Sequence, residues 1–254
     1  MKIITIGNPK GGSGKTISAV NIAYALIRKE KKVLLIDSDP RGAVETYLNV
    51  KKKKTLFELI KEQYNNFNVE NFKSYIINKN GLDIIISSHQ LAKLDKIFDD
   101  DIESELSCIQ DIIYLFEEYD FVVFDTEGTI NNLTKAILKV TDFVFTPTQA
   151  SDIDINGIRD LLSSVESAKR RNRKLEVKKI FLVRAKQQTN AYKNFREQLK
   201  KYFNEKQFSQ VSIRENQDII NAMSEKLDIF TYKNSSNGAI DYRNLVDEFL
   251  EDLK

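Results

Sequence analysis

The segment GNPKGGSGKT, residues 7–16, constrains the fold more than any other stretch of the chain. A β-branched run, IITIG at 3–7, leads into it, and Ile17, Val20, Tyr24 and Ile27 recur behind it at helical spacing. Glycines at 11, 12 and 14 let backbone approach an anion closely, because no Cβ stands in the way. Successive amides there can form a nest, and a helix starting near Lys15 aims its positive end at the same point. Strand, glycine loop, Gly-Lys-Thr and helix together make a phosphate-binding loop, in which Lys15 reaches β- and γ-phosphates and the Thr16 hydroxyl ligates Mg²⁺. A glycine-rich turn that binds nothing is the alternative. The candidate nucleotide-binding set is Lys10, Gly11, Gly12, Ser13, Gly14, Lys15, Thr16 and Ile17. The usual first glycine, in G-x-x-x-x-G-K-[ST], falls here on Pro9, and a second lysine, Lys10, precedes the glycine pair.

The same strand-then-helix alternation continues along the chain. Short apolar runs stand at 3–7, 33–37, 82–87, 121–125, 143–147 and 180–183, each bounded by turn or polar residues. Their continuous apolarity predicts strands buried on both faces, as in a parallel sheet. LTKAILKV, INGIRDLLSSVESAKR and the final DYRNLVDEFLEDLK read as amphipathic helices. The expectation is an α/β chain with a doubly wound, mainly parallel sheet and helices on both faces. No linker or repeat divides residues 1–254, so a single P-loop domain is expected, and a strand by residue 3 leaves no room for an N-terminal helix-turn-helix domain.

Composition excludes several classes. No run approaches the ~18 apolar residues of a membrane span, and KIITIG at the start reads as a strand and not a signal peptide. Cys108 is the single cysteine, so no internal disulfide and no cysteine metal cluster is possible. These features point to a cytoplasmic location. His89, the only histidine, lies in no nucleophile pattern. The formal net charge of +2 conceals segregation. Residues 95–127 carry twelve acids against Lys96, a net −11, and residues 169–201 carry thirteen bases against Glu176 and Glu197, a net +11. The basic block is either a nucleic-acid surface or a set of solvated helix faces.

Two further stretches carry chemistry. LLIDSDPRGAV at 34–44 places Asp37 and Asp39 at a strand end, where a metal and an attacking water need acceptors. FVVFDTEG at 121–128 has the form of a strand ending in a magnesium-holding aspartate, Asp125, with Gly128 able to bring the next loop to a γ-phosphate. Thr16, Asp37 and Asp125 are the candidate metal ligands. Neither a protein-kinase motif set nor an N-K-x-D guanine-reading motif is present, which favours ATP.

KGGSGKT, IDSDPRG, FVVFDTEG and FVFTPTQASDIDINGI stand in the order and approximate spacing of the ParA family of partition ATPases, the deviant-Walker class that includes Soj and MinD. The likeness extends to SIRENQDIINAMSEKLDIFTYKNSSNGAIDYRNLVDEFL and so covers nearly the whole chain. The resemblance implies a Mg-ATP-dependent homodimer in which Lys10 contacts phosphates bound to the other subunit. It implies a catalytic set of Lys10, Lys15 and Asp39, with Asp39 as the switch aspartate that supports water attack. It also implies non-specific DNA binding, a ParB-like stimulating partner and a nucleoid-associated location. Arg170, Arg171, Arg173, Lys186 and Lys193 are the candidate DNA contacts, with Arg214 added by the resemblance. Two positions depart from the family pattern: Glu127, where proline is common, and Arg41, where glutamine is frequent. A membrane-positioning ATPase like MinD is one alternative, which the net −3 of the last 14 residues opposes. A slowly hydrolysing nucleotide-binding module is another. A metabolic enzyme of the superfamily is disfavoured, because an iron protein needs paired cysteines and no substrate pocket is identifiable.

Overall fold

The computed structural model describes residues 1–51, 54–66, 72–94, 102–150, 152–201, 203 and 206–253. The acids Asp95, Asp99, Asp100 and Asp101, with Lys96, lie outside the described residues. The strands are β1 (Lys2–Ile6), β2 (Val33–Asp37), β3 (Ile77–Lys79), β4 (Leu82–Ile85), β5 (Phe121–Asp125), β6 (Phe143–Thr148), β7 (Glu176–Ala185) and β8 (Ile213–Arg214). They form one sheet in the order β3-β4-β2-β5-β1-β6-β7-β8. Every pairing is parallel except β3 with β4.

All six apolar runs are strands, and their burial explains why. Every residue of β2, β5 and β6 is buried. Alternate residues feed opposite faces: Val33 and Leu35 join one core, while Leu34 and Ile36 join the other. On the first face lie α1 (Lys15–Ile27), α2 (Ala43–Leu48), α8 (Gln217–Ser224), α9 (Ile229–Lys233) and α10 (Asn237–Glu251). On the second lie α3 (Leu56–Asn66), α4 (Ile102–Tyr114) and α5 (Asn132–Val140), continued under β6 and β7 by α6 (Asp152–Lys169) and α7 (Asn190–Leu199). The fully buried Phe249 of α10 meets Phe121, Phe143 and Phe145 edge-on, with ring centroids 6.0, 5.5 and 4.8 Å away, and so fixes the last helix across three strands.

One strand is longer than expected. The run at 180–183 belongs to a ten-residue strand, so Lys178 and Lys179 lie within β7. Lys179 is buried there because Glu248, by a short contact, and Asp252, at 2.8 Å, neutralise it from α10 and the residue after it. The acidic final helix thus uses two of its charges inside the fold.

Candidate functional site

The loop after β1 owes its shape to two glycines. Gly12 (φ 74°) and Gly14 (φ 89°) occupy the left-handed region, and a Cβ at Gly14 would also lie 3.3 Å from Val183. Around Gly11 and Gly12 a Cβ would meet nothing within 4 Å, which leaves room for an anion against the backbone. Two hydrogen bonds tie the loop to the β6 end: Gln149 donates to the Gly12 carbonyl at 2.8 Å, and Asn8 of the loop donates to the Pro147 carbonyl at 2.9 Å. Lys15 is buried and donates to the Lys10 carbonyl at 3.0 Å. Burial lowers the Lys15 pKa, opposed by the charges of Asp125 and Asp39. A desolvated cation at a helix start, beside the buried and unpartnered Ser13 hydroxyl, fits a phosphate chain.

Strand register assembles the carboxylates. Ile6 pairs with Asp125 across β1 and β5, and Asp37 pairs with Asp125 across β2 and β5. The phosphate loop and both acids therefore emerge in one row at the carboxyl edge of the sheet. Thr16 donates its hydroxyl to Asp125 Oδ2 at 2.6 Å, while Asp125 Oδ1 is buried with no partner. Burial raises the Asp125 pKa to about 7, and the Thr16 hydrogen bond and Lys15 charge pull it back down. An orphaned buried carboxylate oxygen beside a threonine hydroxyl fits a magnesium ion, which would restore the charged form.

Asp37 stands differently from the metal ligand expected of it. Its Oδ1 accepts from the Asp39 amide and its Oδ2 from the Val44 amide, both at 3.0 Å. Fully buried, it has a pKa pushed well up by burial and by Asp125. Each of its oxygens thus holds one backbone amide of the loop between β2 and α2. That loop carries Asp39, whose carboxylate accepts from Arg41 Nε at 3.1 Å and Arg41 Nη2 at 2.7 Å. Burial pushes the Asp39 pKa up, but the Arg41 hydrogen bonds and the charges of Arg41 and Lys15 outweigh it and hold the group low. Glu127 accepts a short hydrogen bond from Thr129, and Gly128 lies against the backbone of Lys10 and Gly11.

Comparison with known proteins agrees with this geometry. Residues 1–177 match the family model AAA_31, described as an AAA domain. The chain is 28% identical to the sporulation initiation inhibitor protein Soj of Bacillus subtilis, over 97% of each chain. It is 27% identical to the chromosome-partitioning ATPase Soj of Thermus thermophilus, over 97% of this chain and 94% of that one. A putative plasmid partition protein of Borrelia burgdorferi B31 bound to AMPPNP shares the fold with a TM-score of 0.81 and 27% identity, over 99% of both chains. The chain belongs to the AAA domain family and, within it, to the ParA/Soj ATPases.

In this ParA/Soj ATPase a small cleft of about 80 Å³ lies beside the phosphate loop, lined among others by Gly14, Ile17, Val183, Arg184, Arg214, Asn216, Ile219 and Tyr242. The sequence reading missed all but Gly14 and Ile17 as wall residues. Only the left-handed backbone of Arg184 (φ 50°) marks it as a special position, and that is invisible in sequence. Arg214, a candidate DNA contact, also lines this cleft. It is held there by a two-pronged contact to Asp241 of α10, at 2.7 Å from Nη2 and 3.1 Å from Nε.

The remaining basic candidates are exposed but do not share one surface. Arg170, Arg171 and Arg173 follow α6 and precede β7, whereas Lys186 and Lys193 follow β7. Ten residues of strand separate the groups by about 33 Å. Lys186, at the nucleotide edge, pairs with Glu215 at 3.0 Å.

Proposed function

We propose that this ParA/Soj partition or positioning ATPase, read as one P-loop unit over residues 1–254, works as a nucleotide-gated DNA-bound dimer. ATP and Mg²⁺ are its cofactors. Gly11, Gly12, Ser13, Gly14, Lys15, Thr16 and Ile17 hold the nucleotide, Thr16 and Asp125 hold the metal, and Asp39 orients the attacking water. The metal, when bound, neutralises charge on the β- and γ-phosphates. Lys10 stabilises the phosphates of a second subunit, so that the dimer lasts only while ATP lies between the two copies. The observation that carries this reading is the phosphate loop emerging beside Asp125 at the carboxyl edge of the sheet, with the buried Lys15 under the charges of Asp125 and Asp39. The alternation of the dimer between DNA-bound and free states then depends on hydrolysis stimulated by a ParB-like partner, which agrees with a nucleoid-associated, cytoplasmic protein.

Joining two nucleotide edges leaves the opposite edge of each sheet open to solvent, and Arg170, Arg171 and Arg173 lie there. This cluster is the DNA contact, Lys186 and Lys193 contribute less, and Arg214 serves the cleft. Mobility shifts on random duplex DNA test the assignment. R170E/R171E/R173E is expected to abolish ATP-dependent binding while ATP affinity stays unchanged, and K186E/K193E to weaken it only partly. In wild type, log K should fall by ~0.9 per phosphate contact for each tenfold rise in salt. Unchanged binding by the triple variant refutes this surface.

A further inference from the structure

The neighbourhood of Asp39 contains a feature that the ATPase reading does not require. Three donors of a single residue, Arg41, converge on one carboxylate. Its backbone amide donates to Asp39 Oδ1 at 3.0 Å, Nε reaches Oδ1 at 3.1 Å and Oδ2 at 3.2 Å, and Nη2 reaches Oδ2 at 2.7 Å. The Asp39 side chain is 4% exposed and that of Arg41 67% exposed, so the guanidinium lies on the solvent side of the carboxylate. A water-orienting carboxylate needs an oxygen within hydrogen-bond reach of the water. Here the planar fork engages both oxygens at once.

We propose that Arg41 is a positioning residue for ATP hydrolysis, a latch that occupies Asp39 and keeps unstimulated turnover slow until its side chain is drawn away. This inference rests on the reading of Asp39 as the water-orienting group. In the step concerned, a water oxygen bonds to the γ-phosphorus and the bond to the β–γ bridging oxygen breaks. The electron pair leaves on ADP, and the surplus proton of the water passes to solvent. With the latch closed, Arg41 side-chain donors hold both Asp39 oxygens and fix the orientation of the carboxylate. The Arg41 side chain is 67% exposed, so a competing anion can approach its guanidinium from solvent. Only the Arg41 end of the pair is exposed, so its side chain can swing out into solvent without itself being left buried and unpaired. The backbone part of the contact is separate: the Arg41 amide to Asp39 Oδ1 and the Gly42 amide to the Asp39 carbonyl, at 2.9 Å, form the turn whatever side chain stands at 41. Arg41→Gln therefore removes the latch and spares the loop.

The test is steady-state phosphate release at saturating Mg-ATP, without DNA or partner, for wild type, R41Q, R41K, D39A and D39A/R41Q. R41Q is expected to raise kcat roughly fivefold with KM for ATP unchanged, the ratio to which ~1 kcal/mol converts. R41K, which keeps the charge but loses the fork, should fall between the two. In the D39A background R41Q should give no gain, and the melting temperature of R41Q should match wild type. A kcat for R41Q at or below wild type, or a gain that persists without Asp39, overturns the latch. If D39A hydrolyses ATP as fast as wild type, the reading of Asp39 fails and the latch with it. If D39A is inactive and R41Q is no faster, the latch alone fails.

Discussion

Gly128→Ala isolates the contact between the loop after β5 and the phosphate loop. A Cβ at Gly128 would lie 3.2 Å from Gly11 N and 3.4 Å from both Gly11 Cα and the Lys10 carbonyl carbon. These are backbone atoms, so no side chain can rotate away. Gly128 is not among the left-handed glycines, and alanine takes up its backbone without strain. The cost is therefore steric and falls on Lys10 and Gly11. Overpacking of this kind costs ~1–3 kcal/mol. The free loop escapes it by shifting a few tenths of an ångström. Binding ATP requires the amides of Gly11 and Gly12 back in place, so the cost appears in affinity, as a loss between about fivefold and 150-fold. Alanine meanwhile stiffens the unfolded chain by ~0.4–1 kcal/mol, which keeps the melting temperature within a few degrees of wild type. Isothermal titration with Mg-ATP and thermal melting on the same sample measure both. An affinity within twofold of wild type, with melting unchanged, would show that Gly128 does not set the phosphate loop.

Lys15→Ala removes the buried ammonium and its charge-assisted contacts, and ATP affinity measured by titration should fall by about 100-fold or more. Asp125→Asn tests the buried carboxylate through pH. The native pKa of Asp125, about 7, exceeds the 3.8 of a solvated aspartate, so between those values the folded state holds a proton that the unfolded state has lost. Asp125 therefore lowers stability as pH rises through that window. In metal-free and nucleotide-free buffer, the stability of D125N relative to wild type should rise from pH 4 to pH 7, as followed by denaturant unfolding. A constant difference across the window contradicts the raised pKa.

Much of this fold was legible because central strands buried on both faces leave continuous apolar runs. The edges were less so. β3 is only partly buried and pairs on one side alone, yet Asn80-Gly81, both at positive φ, carry the signal of a two-residue hairpin turn. β8 is two residues long and has no pattern to read. The phosphate loop was readable because glycine is needed at specific left-handed positions. The cleft wall was not, because Arg214 is fixed by Asp241, 27 residues away, and Arg184 by a backbone twist. The basic block, contiguous in sequence, is divided by a strand of about 33 Å that puts Arg170, Arg171 and Arg173 before one end of β7 and Lys186 after the other.

The central claim is that ATP joins two copies through Lys10 and that only this dimer holds DNA. Sedimentation of D39A, with and without random duplex DNA, tests it most directly, because slow turnover preserves the ATP state. With Mg-ATP, D39A should sediment as a dimer and carry DNA, and with Mg-ADP it should be a monomer that leaves DNA behind. K10A/D39A should still bind ATP yet remain monomeric in both nucleotides. Equal mass and equal DNA binding in ATP and ADP, or a normal ATP dimer without Lys10, would contradict the account.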